Sequence, residues 1–172
     1  MKKLLLIAIL FGGLSASAQD IYLQCGSIVD TESGKLVTEK TIVVSGNIIK
    51  SIQNGFVTGT REDQLIDLKD KTVLPGFIDM HVHIEGESSP SRYIERFTKN
   101  EADVAFQSTV YAERTLMAGF TTVRDLGGSG VNIALRNAIN KGTIKGPRIY
   151  TAGKTLASTG GHGDPTNGMR ED

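Results

Sequence analysis

The dipeptide Pro75-Gly76 separates two patterns that call for different kinds of sheet. Before it, short β-prone runs alternate with turn clusters. Ile21-Tyr22-Leu23-Gln24-Cys25 reads as a strand, and Asp30-Thr31-Glu32-Ser33-Gly34 as a turn. Thr41-Ile42-Val43-Val44 and Ile48-Ile49-Lys50-Ser51-Ile52 flank Ser45-Gly46-Asn47, a hairpin with glycine in its turn. Gln64 to Leu68 is a further strand, closed by a turn at Lys69-Asp70-Lys71. After Pro75-Gly76 strands and helices alternate. Phe77-Ile78-Asp79-Met80-His81-Val82-His83 is largely apolar, as expected of a strand buried on both faces. Thr98-Lys99-Asn100-Glu101 has the form of a capping box before a helix reaching Ala118, with Ala105, Thr109, Ala112 and Leu116 along its inner face. Phe120 to Asp125 is a strand, Asn132 to Asn140 a helix, and Pro147 to Thr151 a strand. Strand, helix, strand, helix, strand implies a parallel α/β layout with right-handed crossovers. Periodicity alone leaves a doubly wound sheet open as the alternative.

The first eighteen residues obey another logic. Lys2-Lys3 precede an apolar run from Leu4 to Leu14, and Ala16-Ser17-Ala18 is the small-residue pattern of a signal-peptidase site. The run is far short of the roughly 20 residues that span a bilayer. A cleaved leader over residues 1–18 is expected, and with it export to a periplasm or the medium without a stable membrane anchor. Cys25 is the only cysteine, so no intramolecular disulfide can form, and its apolar surroundings suit a small buried side chain. Basic and acidic side chains both number 19 and tryptophan is absent, which argues against a nucleic-acid partner.

Two phosphate motifs fail on spacing. Gly153-Lys154-Thr155 has Arg148 where a P-loop needs its first glycine, and Gly128-Ser129-Gly130 has Ile133 where a dinucleotide fingerprint needs its third. His81 and His83 are more informative. Two apart on a strand, they point to one face and can bind one divalent cation of the zinc type. The competing reading is two buried histidines satisfied by hydrogen bonds.

Val73 to His83 resembles the first barrel strand of the amidohydrolase superfamily. Thr121-Thr122-Val123-Arg124-Asp125-Leu126-Gly127-Gly128 and Ser158-Thr159-Gly160-Gly161-His162-Gly163-Asp164-Pro165 resemble its imidazolonepropionase-like branch, which includes Xaa-Pro dipeptidases (prolidases). The resemblance implies a β-sandwich module over residues 19–74 and, over 75–172, the front of a (β/α)8 TIM-type barrel with about three of its strands. It implies a metal-dependent hydrolase of amide C–N bonds, in which metal-activated water attacks the amide carbonyl of a dipeptide or other small substrate. By likeness His81 and His83 are metal ligands, for one or two divalent ions of which zinc is the best fit. His162 lines the site and hydrogen-bonds substrate, or else orders its own loop. Asp79 and Asp125 take structural roles at strand ends. The family's bridging lysine, later histidines and catalytic aspartate would fall beyond Asp172, so no catalytic residue is assigned and this stretch alone is expected to be inactive. Hydrolysis of a cyclic amide, or a remnant that binds metal or a partner without turnover, are the alternatives; oligomerisation is left open.

Overall fold

The structure, a computed structural model, describes residues 19–164, so the expected leader over residues 1–18 lies outside the described residues. The chain divides into two units at Pro75.

In the first unit β1 (Asp20–Asp30), β2 (Lys35–Ser45), β3 (Ile48–Asn54) and β4 (Gln64–Val73) form one four-stranded sheet in the order β3-β2-β1-β4. β1 pairs antiparallel with β2 and parallel with β4. A second facing sheet does not occur among the described residues of this unit. Cys25, Ile28 and Ile42 form the buried cluster, packed by Leu23, Val37, Val44, Leu68 and Val73. Thr41, fully buried, donates its hydroxyl to the Gly55 carbonyl (2.7 Å) and accepts from the Val57 amide (2.9 Å), which pins the segment after β3.

These strands run longer than the sequence suggests, and the turn expected at Lys69-Asp70-Lys71 is a correction. The Asp67 carboxylate does accept from the Lys69 amide at 3.0 Å, the local chemistry of a turn. Pairing nevertheless resumes: Cys25 faces Leu68, and Ser27 faces Thr72, so β4 carries the extra residues as a bulge. Gly26 makes room for it, because a Cβ there would lie 2.0 Å from the Lys69 carbonyl oxygen.

The second unit contains β5 (Phe77–Val82), α1 (Arg92–Thr98), α2 (Glu101–Met117), β6 (Phe120–Asp125), α3 (Val131–Asn140) and β7 (Arg148–Thr151). The three strands are parallel in the order β5-β6-β7, with α2 and α3 in the two crossovers. Ile84, Ala112, Val123, Leu135 and Ile149 are its core, with Val82, Phe120, Ile139 and Ile144 around them. The inner face of α2 centres on Ser108 and Ala112, both fully buried; small side chains there let the helix lie close to the sheet.

Three expectations change. The cap of α2 is Asn100, not Thr98: the Asn100 side chain accepts from the amides of Ala102 (2.9 Å) and Asp103 (3.1 Å), and Asp103 accepts in return from the Asn100 amide (3.0 Å). Asn and Asp fill the two cap roles as well as Thr and Glu, and Thr98 instead ends α1, a helix the periodicity did not indicate. Nor is β5 buried on both sides. Phe77, Ile78 and Met80 are 49, 62 and 54% exposed, because β5 is an edge strand and helices cover only one face of this sheet among the described residues. Finally, β5 stops at Val82, which leaves His83 just past the strand.

Candidate metal centre

Side-chain alternation along β5 cannot by itself align the two histidines, because the strand is irregular where they sit. Asp79 pairs with Val123 and Val82 with Asp125, so β5 advances three residues while β6 advances two. Such a slip re-aims side chains. The Arg124 guanidinium donates to the Met80 carbonyl at 2.8 Å, and the Asp79 carboxylate accepts from the His81 amide at 2.9 Å, holding the irregular stretch in place. The imidazoles still converge, with ring centroids 5.5 Å apart and planes at 74°. Both residues are exposed in this chain.

One contact defines the state of His83. Its Nδ1 lies 2.7 Å from the Gly127 carbonyl oxygen. A carbonyl only accepts, so Nδ1 carries a proton, and in the neutral ring Nε2 keeps its lone pair. That division of roles, one nitrogen tied to a backbone carbonyl and the other free to bind, is the usual arrangement of a metal-ligating imidazole.

The Gly127 carbonyl is itself held. Asp125, 1% exposed, accepts from the Gly127 amide (2.8 Å) and the Ile84 amide (3.1 Å), with the Asn132 amide group at a longer 3.4 Å. The structural role expected of Asp125 is thereby given its partners. Gly127 has φ +139°, and a Cβ there would lie 2.5 Å from the Thr155 backbone, so only glycine fits. Glu85, two residues after His83, places its carboxylate on the amides of Ser129 (2.6 Å) and Asn132 (2.7 Å). Sequence reasoning passed over Glu85 and the buried Asn132. The signal available was the glycine pair 127–128, which marks a close backbone approach without naming what approaches.

His162 lies exposed in the turn that follows β7. The hydrogen bonds of that turn run from the Gly160 amide to Asp164 (2.8 Å) and from the Gly161 amide to the Ser158 carbonyl (2.9 Å). The structure brings His81 and His83 together and does not bring His162 to them as a third ligand. Among the described residues no group of three or more His, Cys, Asp or Glu side chains is arranged to hold a metal. Beside His83 opens a recess of about 170 Å³ lined by Val82, Gly86, Glu87, Tyr111 and Arg114, in which the Arg114 guanidinium meets Glu87 at 3.2 Å. A larger recess of about 280 Å³ between α2 and the segment before β7 has no histidine in its lining and lies apart from this chemistry.

Residues 72–171 match the amidohydrolase family model. Over 141 residues the chain is 38% identical to the ochratoxinase of Aspergillus niger, covering 76% of this chain and 28% of that protein. Among solved structures, a Xaa-Pro dipeptidase with methionine bound in its active site superimposes with a TM-score of 0.78 at 43% identity, over 87% of this chain and 37% of the other. A prolidase complexed with N-methylphosphonate-L-proline does so with a TM-score of 0.73 at 36% identity, over 85% and 35%. The chain therefore spans 28% of the curated relative and little more than a third of these two structures.

Proposed function

Because the chain belongs to the amidohydrolase family, we propose that it supplies the histidine-pair end of a metal-dependent hydrolase of amide C–N bonds, one that splits small dipeptides such as Xaa-Pro. The observation that carries this is the bond from His83 Nδ1 to the Gly127 carbonyl, which frees Nε2 beside an exposed His81. The donor set fits: a pair of imidazoles suits zinc. His81 and His83 would hold the cation. When bound, it supplies a Lewis acid that activates water and polarises an amide carbonyl. What the chain's own residues do is hold the imidazoles ready. Asp79 fixes the backbone at His81, Gly127 fixes the His83 proton, and His162 takes part in substrate contact from the turn after β7.

The parallel order β5-β6-β7 with a helix in each crossover supports reading these as the opening strands of a (β/α)8 barrel. Functional groups in such a barrel gather at the strands' C-terminal ends, which is where His81 lies on β5, with His83 just past its end. The four-stranded sheet before it is then one layer of the accompanying sandwich. The preference for dipeptides rests on the likeness to a Xaa-Pro dipeptidase and a prolidase. In this reading the leader over residues 1–18 takes the protein to the periplasm or medium. A catalytic zinc takes three protein ligands and the pair supplies two, so the activity is that of the full-length protein.

The test is zinc content and Xaa-Pro hydrolysis in full-length His81→Ala and His83→Ala. Loss of a partner one shell out costs about 10–100-fold in metal affinity or activity, and loss of a ligand should exceed that in both readouts. Wild-type zinc content and rate in both variants would sink the assignment.

A further inference from the structure

Arg124 turns its guanidinium to the face of the β5-β6-β7 sheet that lies away from α2 and α3. It sits on β6 between Val123 and Asp125, both buried on the helix side, so alternation sends it the other way. Tyr150, exposed on β7 beside the buried Ile149, is its register partner and shares that face. On β5 two residues, Met80 and His81, stand opposite Arg124 alone, because Asp79 pairs with Val123 and Val82 with Asp125. The Arg124 Nε donates to the Met80 carbonyl at 2.8 Å, which lays the guanidinium over this slip, one residue from His81.

That bond commits one edge of the guanidinium and leaves the other. Among the described residues neither terminal nitrogen meets an acceptor, no carboxylate pairs with Arg124, and the Tyr150 hydroxyl has no partner. The neighbouring acids are engaged elsewhere, Asp125 with the Gly127 and Ile84 amides and Asp79 with the His81 amide. A planar fork pinned at Nε presents its two remaining nitrogens in the geometry that a carboxylate accepts bidentately. In the barrel reading this face is the interior, where a guanidinium without an anion is costly to bury. The substrate offers such an anion at the right reach. In a dipeptide the carboxylate follows the scissile amide by one residue, about 3.5 Å of chain, and neighbouring strands lie about 4.8 Å apart.

We propose that Arg124, with Tyr150 beside it, binds the free C-terminal carboxylate of the substrate and so makes the enzyme selective for short peptides with an unblocked end. With the scissile carbonyl at the histidine pair, the carboxylate falls to the next strand, where the fork and the phenol hydroxyl take it together. The proposal rests on the hydrolase reading and names the substrate feature that reading leaves open. The competing occupant is an acidic side chain of the full-length protein, which would make Arg124 a structural residue without influence on selectivity.

The experiment compares alanyl-proline with alanyl-prolinamide as substrates of the zinc-loaded, full-length protein. A charge-assisted bidentate pair corresponds to a preference of about 10–100-fold for the free acid, carried by KM. Arg124→Gln should abolish that preference by weakening the acid alone, with the amide turned over as in wild type. Arg124→Lys keeps the charge and loses the fork; it should retain part of the preference, and it carries the comparison if the glutamine variant does not fold. A wild-type enzyme that treats acid and amide alike overturns the proposal. So do Arg124 variants that keep the preference, or that slow both substrates equally, as loss of an internal ion pair would. If wild type cleaves neither compound, the hydrolase reading falls, and binding of L-proline against L-prolinamide, followed by saturation-transfer NMR, decides the site alone. A preference for proline that is lost in Arg124→Gln keeps the carboxylate site, and its absence in wild type removes it.

Discussion

Asp125→Asn is nearly isosteric and removes one acceptor from a buried site. The side chain is 1% exposed and accepts from Gly127 on Oδ1 and Ile84 on Oδ2. In the better of its two orientations, the new amide oxygen keeps Gly127 and turns its NH₂ toward the Ile84 amide. A buried donor without a partner costs about 1–3 kcal/mol, and the retained bond loses its charge assistance, about 1 kcal/mol more. Relief of a buried charge offsets part of this, so a destabilisation of about 2–4 kcal/mol is expected. Asp125→Ala orphans both backbone amides and leaves a void, and should cost more, about 3–6 kcal/mol. Urea unfolding of the full-length protein followed by circular dichroism measures both, compared at equal slopes. The reasoning is refuted if D125N lies within about 0.5 kcal/mol of wild type, or if D125A is no worse than D125N.

Two further outcomes concern the four-stranded sheet. Burial pushes the Cys25 thiol above its ordinary range, and the residue is fully buried, so the native protein should resist iodoacetamide and label only as urea opens the sheet; native labelling at the rate of free cysteine would contradict the packing. The backbone amide and hydroxyl of Thr60 hold the Asp63 carboxyl below its usual 3.8, and the Lys50 ammonium does the same for Asp20. A lowered value means the unfolded chain binds the proton first. The stabilisation is therefore present above about pH 3.8 and lost as pH falls through the folded values. Asp63→Asn should flatten the acid limb of the sheet's stability profile, and an unchanged slope would count against it.

Much of the layout could be read from local chemistry. The hairpin at Gly46-Asn47, the strand at Phe120–Asp125 and the helix stop at Gly119 each depend on residues adjacent in the chain, and each is where the sequence indicates. The misreadings share a cause. At Lys69-Asp70-Lys71 a true local turn bond was outweighed by pairing with β1, which needed Gly26, more than forty positions earlier, to open the space. At Thr98 a cap signal lost to its neighbour Asn100, because a helix starts where the orphan amides find the better acceptors.

The metal pair divides along the same line. Residue types and spacing were enough to mark His81 and His83, since a motif is a property of neighbours in sequence. Their orientation was not legible. A slip in β5 displaces the alternation that the spacing argument used, and the convergence of the rings is decided by contacts with residues about forty positions away. Glu85 shows this most clearly. As sequence it is an exposed-looking acid in a loop, and only the approach of α3 gives it two amides to hold. The sequence by itself determined most of the strands, the two longer helices and which imidazoles are offered. The tertiary structure decided which nitrogen of His83 is free, because a tautomer depends on the partner opposite the ring, and that partner arrives only when the chain is folded.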